Sequence, residues 1–286
     1  MRVAAVDLGT NTTRLLVADA VGGKLADVHR ESRITRLGEG VDARRRLLPV
    51  PIARVRNVLS DYRRTIESLG AERTLAVATS AVRDAENGEA FLGEVEWSYG
   101  FVTRLLDGGE EAGLTRRGGD PAPGTLVVDV GGGSTELALD DFHVSLPMGS
   151  VRFTERHGDD VPSLTREAAV LLPDLSPTRG VGVAGTVLQL AALDETAALA
   201  RARVREQLEE LAGMSVAARR ALPRMEPGRA PVIVAGAAIL LAILDRYELE
   251  SIDVSVRDLL DGAALAAAEL PAPVEGEAPP GAYTCC

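Results

Sequence analysis

The feature that most constrains this chain is a turn motif that occurs twice, each time directly after a short apolar strand. One copy begins at Asp7 and the other at Asp129, and both follow the pattern D-x-G-x-x-[ST]-[ST]-x-L. Chance can explain one such turn, but two at equivalent points favour an internal duplication. The sequence therefore predicts two related lobes, each built around the same strand, turn and strand.

The second copy has a composition that core packing does not explain. After the expected strand 125–130 come three glycines at 131–133, and then the hydroxyls of Ser134 and Thr135. Consecutive glycines cost backbone entropy on folding, so they indicate a tight turn or a close approach to a ligand. The bare N–H groups of such a turn form an anion-binding concavity, and Asp129 beside it would repel an anion unless a cation lies between them. The turn therefore predicts a phosphate group together with a divalent cation.

The charge of the chain limits what it can bind. It has 31 basic and 42 acidic residues, a formal net charge of −11, and Lys24 is its only lysine. Such an acidic surface argues against nucleic acid as a partner. The lysine lies outside any G-x-x-x-x-G-K-[ST] sequence, which excludes a P-loop. A polyanionic substrate is therefore expected to be bound locally, by arginines and a divalent cation.

The sequence does not indicate a membrane protein. No apolar run reaches the roughly 18 residues that a membrane helix needs, and the N-terminus lacks the segments of a signal peptide. Cys285 and Cys286 lie in the Pro- and Gly-rich stretch 271–286, where they predict neither a disulfide framework nor a zinc site. We expect a cytoplasmic protein with no membrane partner and a disordered tail over 271–286.

Strands and helices follow each other in two similar blocks, separated by the linker GGDPAPG at 118–124. We expect an N-terminal lobe over 1–117, a C-terminal lobe over 118–256, and a final helix at 257–270 that packs back on the first lobe. Both lobes are expected to be α/β, with mixed sheets flanked by helices and the active site in the cleft between lobes. The expected strands are 2–6, 13–20, 24–34, 74–79, 101–106, 125–130, 135–140, 142–146, 180–184 and 251–255. The expected helices are 51–69, 88–97, one from about 109, 186–193, 203–213, 236–247 and 257–269.

Eight short segments, collinear over residues 2–270, carry a resemblance to a known family. They are DLGTNT from Asp7, TSAVRDAEN from Thr79, GEEA from Gly109, DVGGGSTEL from Asp129, GSVRFTE from Gly149, VAGT from Val183, RAPVIVAG from Arg229 and DLLDG from Asp258. Together they resemble the exopolyphosphatase/guanosine pentaphosphate phosphatase (Ppx/GppA) family in its short, two-lobed form. The resemblance implies the duplicated actin-like, or ribonuclease H-like, fold of the actin, Hsp70 and sugar-kinase superfamily.

The resemblance also implies roles for individual residues. Glu111 would orient or deprotonate the attacking water, and Glu136 would be a second catalytic acid presented from the other lobe. Helical periodicity alone makes Glu111 a solvated acid at a helix start. Asp7 and Asp129 would hold Mg²⁺, with Mn²⁺ as the alternative, which agrees with the chemistry of the two turns. The expected phosphate ligands are Asn11, Thr12, Arg14, Arg83, Gly131, Gly132, Gly133, Ser134, Thr135, Gly185 and Thr186.

The activity that the resemblance implies is Mg²⁺-dependent release of terminal orthophosphate from inorganic polyphosphate. Guanosine pentaphosphate (pppGpp), cut to the tetraphosphate ppGpp, is the alternative substrate because it presents the same terminal anhydride. Two alternatives of other classes stay open: an ATP-dependent kinase on the same fold, and a sensor that binds polyphosphate or guanosine penta- or tetraphosphate without turnover. A homodimer is a further expectation.

Two further patterns have plainer explanations. The G-x-G-x-x-G at 180–185 has its glycines before and within an expected strand rather than after it, so it does not predict a dinucleotide site. Gly185 and Thr186 are instead expected in a loop that faces the ligand. The run Arg44-Arg45-Arg46 is typical of a solvated face, and a guiding patch for a phosphate chain is the alternative.

Overall fold

The computed structural model describes residues 1–271. The predicted tail over 271–286, with its two cysteines, lies outside the described residues except for Pro271. The chain divides into two compact units: a first unit of Met1–Asp107 with the chain from Leu259 onward, and a second unit of Gly108–Asp258. No helix within residues 1–271 is both long enough and apolar enough to span a membrane.

The first unit is a mixed five-stranded sheet with helices. Its strand order is β3-β2-β1-β4-β5, where β1, β4 and β5 are parallel and β2 and β3 are antiparallel. Helix α12 packs against β1, β2 and β4. The elements are β1 (Arg2–Leu8), β2 (Thr12–Val21), β3 (Lys24–Ile34), α1 (Val41–Arg44), α2 (Pro49–Leu69), β4 (Arg73–Ala78), α3 (Ser80–Arg83), α4 (Gly88–Tyr99), β5 (Val102–Leu105) and α12 (Leu259–Glu269).

The longest helix of the first unit, α2, shows how the sequence pattern becomes a core. Proline at the first helical position suits the helix start, and Gly70 ends the helix in the left-handed conformation. Val55, Leu59, Tyr62 and Ile66 recur at helical spacing and are buried in the core of this unit. The hydroxyl of Tyr62 donates to the Thr13 carbonyl at 2.9 Å, which fixes α2 directly behind the first turn.

The second unit repeats the arrangement with a six-stranded sheet. Its order is β10-β11-β9-β6-β7-β8, where β6, β9 and β11 are parallel. Its core is formed largely by α11, whose residues Ile233–Leu244 are all buried. The elements are α5 (Gly108–Gly119), β6 (Thr125–Val130), β7 (Thr135–Leu139), β8 (Phe142–Leu146), α6 (Ser150–His157), α7 (Val161–Leu171), β9 (Arg179–Val183), α8 (Ala184–Asp194), β10 (Ala198–Ala200), α9 (Arg201–Ala212), α10 (Val216–Arg220), α11 (Ile233–Arg246) and β11 (Ser251–Val254).

The duplication is visible in the register of the two hairpins. Asp7 on β1 lies opposite Arg14 on β2, and Asp129 on β6 lies opposite Glu136 on β7, seven residues apart in each case. Inside each turn the N–H of the first glycine donates to the carbonyl three residues later: Gly9 to Thr12 at 3.1 Å and Gly131 to Ser134 at 3.0 Å. The predicted α/β class with two duplicated mixed-sheet units is confirmed.

Two positional predictions need correction. The first unit ends at Asp107 rather than at 117, because α5 packs against β7 and β8 of the second sheet. A Cβ atom added to Gly108 would lie 2.5 Å from the Ser145 Cβ, which shows how closely α5 approaches β8. Gly185 and Thr186 are not in a loop, because helix α8 already begins at Ala184.

Candidate phosphate-binding and catalytic site

The glycine turn of the second unit is held by the start of helix α6. The Gly131 carbonyl accepts a hydrogen bond from the Ser150 N–H at 2.9 Å, and the Gly132 carbonyl accepts from the Val151 N–H at 2.8 Å. The Arg152 guanidinium donates from Nε to the Gly133 carbonyl at 2.6 Å. Three successive carbonyls of the turn are thus bonded to one turn of helix.

This anchoring fixes the direction of the turn's N–H groups. In a planar trans peptide the C=O and the following N–H point in opposite directions. Because the three carbonyls point toward α6, the N–H groups of Gly132, Gly133 and Ser134 point away from it. Among the backbone hydrogen bonds of turns and loops in residues 1–271, none has one of these three N–H groups as its donor. Converging, uncommitted N–H groups of this kind form an anion-binding concavity.

Two residues that build this concavity were not singled out by the sequence analysis. Gly149 precedes α6, and a Cβ atom there would lie 2.5 Å from backbone atoms of Gly132 and Gly133, so only glycine allows the helix to approach. Arg152 is only 8% exposed and reaches the turn from inside the protein. Both lie in the segment GSVRFTE. The signal that could have found them is the glycine at its start together with the arginine three positions later.

Two buried acids lie beside the turn on one face of the sheet. Val127 on β6 and Ala138 on β7 pack against Ala112 of α5. Because side chains alternate along a strand, Asp129 and Glu136 face the same side as these two residues. They are cross-strand partners, which brings their Cβ atoms to about 5 Å. The Ser145 hydroxyl donates to Glu136 at 2.6 Å and so orients that carboxylate.

Glu111 lies on the helix that covers this face. It directly precedes Ala112 in the first turn of α5 and is 5% exposed, whereas Glu110 is partly exposed. The expectation of a solvated acid pair is therefore wrong for Glu111. Glu111 and Glu136 also belong to the same unit and not to opposite lobes, because α5 is part of the second unit. The second unit alone thus holds three buried acids, two on this sheet face and one on the helix that covers it.

The donor set on this face suits a hard cation that substrate oxygens help to bind. Within the described part of the chain, no group of three or more His, Cys, Asp and Glu side chains is arranged to hold a metal ion on its own. Mg²⁺ is usually bound by one or two carboxylates together with waters and substrate phosphates, rather than by an all-protein cage. The adjacent carboxylates of Asp129 and Glu136 fit that pattern.

Helix α8 begins at the same end of the second sheet. Val183, the last residue of β9, is the register partner of Asp129, so Gly185 and Thr186 in the first turn of α8 follow directly beyond this edge. A Cβ atom on Gly185 would lie among the guanidinium atoms of Arg229. A helix N-terminus next to an arginine is electropositive, which is consistent with the phosphate role expected for these two residues.

Thr135 does not belong with the phosphate ligands. Its hydroxyl donates to the Met148 carbonyl at 2.6 Å, and its side chain is fully buried. Along β7 it faces the opposite side of the sheet from Glu136. The equivalent residue of the first turn, Thr13, is likewise buried and shares a hydrogen bond with the Thr35 hydroxyl at 2.9 Å. The second hydroxyl of each motif is therefore structural.

In the first unit, too, the carbonyls of the turn are held by backbone N–H groups, here from the segment that follows β3. The Thr10 carbonyl accepts from the Gly38 N–H at 2.8 Å, and the Asn11 carbonyl accepts from the N–H groups of Thr35 and Arg36. The N–H groups of Asn11 and Thr12 consequently point away from this covering segment. Both residues are buried at less than a tenth exposed, as expected for groups that line a small concavity.

The residue opposite the aspartate distinguishes the two turns. The Arg14 Nε donates to Asp7 Oδ2 at 2.8 Å, and both side chains are largely buried. In the second unit the equivalent partner of Asp129 is Glu136, an acid. The first turn therefore carries a balanced ion pair, whereas the second concentrates negative charge and is the better place for a cation. Of the two predicted metal ligands, Asp129 has the more suitable surroundings.

Arg83 lies close to the first turn. It ends the short helix α3, whose first residue, Ser80, shares a hydrogen bond with the Thr10 hydroxyl at 2.9 Å. Its guanidinium donates to the Leu106 carbonyl at 2.7 Å and remains partly exposed. The Leu106 carbonyl thus orients a guanidinium group, and the planar geometry of this group matches phosphate oxygens.

Comparison with known proteins decides the family. The profile of the Ppx/GppA phosphatase family matches residues 16–268. The chain belongs to this family. It is 39% identical to Exopolyphosphatase 2 of Mycobacterium tuberculosis, an alignment that covers 93% of this chain and 98% of the relative.

Solved structures agree with this assignment to the Ppx/GppA family. The crystal structure of an exopolyphosphatase-like protein superposes with a TM-score of 0.84 at 29% identity, covering 93% of this chain and 97% of that one. The Aquifex aeolicus member of the Ppx/GppA family superposes with a TM-score of 0.75 at 28% identity, covering 94% and 98%. The predicted family and actin-like fold are therefore confirmed.

The predicted site residues of this Ppx/GppA chain fall into two groups, one in each unit. The second unit brings together the glycine turn, Ser134, three acids and the start of α8. The first unit brings together Asp7, Arg14 and the turn residues, with Arg83 nearby. The sequence pattern did not indicate Gly149, Arg152 or Ser145. These residues contact other parts of the protein and orient the glycine turn and Glu136.

Proposed function

We propose that this protein is a phosphatase that removes the terminal phosphate of inorganic polyphosphate by attack of water. The observation that carries the proposal is the burial of Glu111 on the helix that covers the sheet face of Asp129 and Glu136. The turn that follows Asp129 has its N–H groups oriented for an anion. Membership of the Ppx/GppA phosphatase family supports it. So does the similarity to a relative named Exopolyphosphatase 2.

Binding is assigned to the backbone of the glycine turn. The N–H groups of Gly132, Gly133 and Ser134 would donate to oxygens of a phosphate group. Their direction is set before substrate arrives, because α6 already holds the turn's carbonyls. Donors that need no reorganisation stabilise the charge of a phosphoryl transition state better than mobile ones do. Gly131 keeps the hairpin closed through its own bond to Ser134.

Hydrolysis is assigned to Glu111 as the general base. Its carboxylate would accept a proton from water as the water oxygen bonds to the terminal phosphorus. The bond from that phosphorus to the bridging oxygen breaks, and the shortened chain leaves with the electron pair on that oxygen. Base assistance of this kind is worth about 10²–10⁴ in rate. Glu136, oriented by Ser145, is proposed to help Asp129 hold a cation that would neutralise the phosphate, rather than to act as a second base.

Mg²⁺ is proposed as the cofactor, with Mn²⁺ as the substitute. When bound, the ion would neutralise phosphate oxygens and so reduce the barrier to attack by water. Asp129 would hold it, with Glu136 as its neighbour. The Asp7 carboxylate is proposed to act chiefly by orienting Arg14, because two atoms of that guanidinium lie 2.8 Å from Oδ2.

The first unit is proposed to bind phosphate as well. Asn11 and Thr12 would use the N–H groups that the covering segment directs away from itself. Arg14 and Arg83 would contribute charge, and each is already oriented by a partner of its own. A cytoplasmic location and a homodimer are also proposed; size-exclusion chromatography with light scattering tests the second.

The experiment that tests the function compares substrates in parallel. Phosphate release is measured with Mg²⁺ or Mn²⁺ from polyphosphates of graded length, from pppGpp and from ATP. The proposal predicts the highest kcat/KM on polyphosphate and loss of activity on chelation of the metal. Higher kcat/KM on pppGpp would reassign the substrate to guanosine pentaphosphate. Binding of polyphosphate with no phosphate release would make the protein a sensor.

A further inference from the structure

Arg44, Arg45 and Arg46 form a basic run that the proposed function leaves without a role. All three side chains are exposed, and none forms an ion pair with an acid within residues 1–271. The same unit otherwise pairs its surface arginines: Arg54 with Glu39 and Arg56 with Glu94. A run of three uncommitted guanidinium groups is unusual in a chain of net charge −11.

The run is held in place at both ends. On one side, Gly38 bonds to the Thr10 carbonyl, which ties the segment to the first turn. On the other, the Asn87 side chain accepts from the Leu47 N–H at 2.8 Å and donates to the Leu47 carbonyl at 3.1 Å. Leu47 itself is 1% exposed and so fixes the end of the run in the core. The arginines therefore extend from an ordered backbone.

A continuous stretch of protein links the run to the first turn. Ser80 contacts the Thr10 hydroxyl, and Glu86 donates its N–H to the Arg45 carbonyl at 2.8 Å. Ser80 and Glu86 are six positions apart in the chain, so their Cα atoms are at most about 22 Å apart. Arg83 lies between them in sequence. The stretch that joins the phosphate-binding turn to Arg44–Arg46 therefore carries a further arginine, together with the acids Asp84 and Glu86.

We propose that Arg44–Arg46 bind internal phosphates of a long inorganic polyphosphate, beyond the phosphates that the turn of the first unit holds. The inference rests on the proposed function and specifies its substrate as long-chain polyphosphate. An acidic protein repels a polyanion at long range, and a local basic run counters that repulsion in its own surroundings. Guanidinium groups match phosphate oxygens in charge and geometry. A triphosphate has only one internal phosphate, so replacing the run should affect its binding far less than that of a long chain.

The test compares two triple variants of the full chain. The first replaces Arg44, Arg45 and Arg46 with glutamine. The control replaces three other exposed arginines, Arg64, Arg166 and Arg179, with glutamine as well. Each variant therefore loses three positive charges, and its net charge changes from −11 to −14. The measurements are kcat and KM for tripolyphosphate and for long-chain polyphosphate at several salt concentrations. Binding of long-chain polyphosphate without metal is measured separately by calorimetry.

The first variant should raise KM for long-chain polyphosphate about tenfold, as expected for three screened contacts with a polyanion. The slope of log KM against log salt should fall by about 2. Its KM for tripolyphosphate and its kcat for both substrates should match the wild type. The control variant should change neither KM by more than about twofold, since screened surface charges far from the substrate contribute little.

Equal KM values for long-chain polyphosphate in the two variants would overturn the inference and leave the run a solvated face. Competition by single-stranded RNA as strong as that by polyphosphate would also contradict it, because the run would then bind any polyanion. Failure of the proposed function gives a different result: no phosphate release by the wild type. In that case the calorimetric loss of binding in the first variant alone would still support the inference.

Discussion

Replacing Arg152 with methionine tests whether helix α6 creates the anion-binding turn. The substitution keeps much of the apolar stem but removes the donor to the Gly133 carbonyl, at 2.6 Å in a side chain that is 8% exposed. A hydrogen bond that involves a charged group contributes about 1.5–3 kcal/mol. Without it, the peptide between Gly133 and Ser134 loses the restraint that directs the Ser134 N–H outward.

The magnitude follows from that free energy. Because about 1.4 kcal/mol corresponds to a factor of ten, loss of the restraint should lower kcat/KM by about 10- to 100-fold. The assay is phosphate release from polyphosphate at temperatures where circular dichroism shows the variant to be folded. The matched control is Arg156→Met on the same helix, since Arg156 is 37% exposed and pairs with Glu167 rather than with the turn.

Two outcomes separate a positioning role from a merely structural one. If Arg152 positions the turn, Arg152→Lys should recover part of kcat/KM, because an ammonium can also donate to the Gly133 carbonyl. A value of kcat/KM for Arg152→Met within twofold of that for Arg156→Met would refute the reasoning. The turn would then keep its direction without α6's side-chain contact.

The remaining predictions concern the acids, the close approach of α6 and the pH range. Glu111→Gln should lower kcat by at least about 100-fold while polyphosphate still binds by calorimetry, whereas the control Glu110→Gln should stay near wild type. Asp129→Asn should shift the Mg²⁺ activation curve to higher concentrations, and an unchanged curve would exclude it as a ligand. Gly149→Ala should reduce both the urea midpoint and activity, because its Cβ would lie 2.5 Å from backbone atoms. Burial raises the pKa of Tyr247 to about 12. The free energy of unfolding should therefore not depend on this group below about pH 10 and should fall as the pH rises toward 12. In urea titrations, Tyr247→Phe should reduce that fall.

Much of the fold was accessible from the sequence because local signals agreed. The strands at 125–130 and 142–146 were predicted with their observed bounds, since Gly, Pro and Asp residues mark both ends. The boundary at 117 was wrong because the linker GGDPAPG follows α5 instead of preceding it. Helix α5 belongs to the second unit because it packs on β7 and β8. These strands follow it in the chain, so a local sequence pattern does not predict the packing.

The candidate site divides in the same way. The glycines and aspartates of the two turns could be singled out from the sequence, because the same turn motif occurs twice. The burial of Glu111 was not, since helical periodicity treats it as one of two equivalent acids. Thr135 was misassigned because adjacent residues on a strand face opposite sides, and the motif alone does not say which hydroxyl points to the ligand.

The central claim is that water removes phosphate from the end of a polyphosphate chain. Phosphorus NMR of long-chain polyphosphate, incubated with the protein and Mg²⁺ in ¹⁸O-labelled water, follows terminal, internal and free phosphate together and locates the label. The account predicts that orthophosphate is the sole released product, that it carries the label, and that Glu111→Gln abolishes its appearance. Release of chain fragments of intermediate length, or transfer of phosphate without incorporation of label, would contradict it.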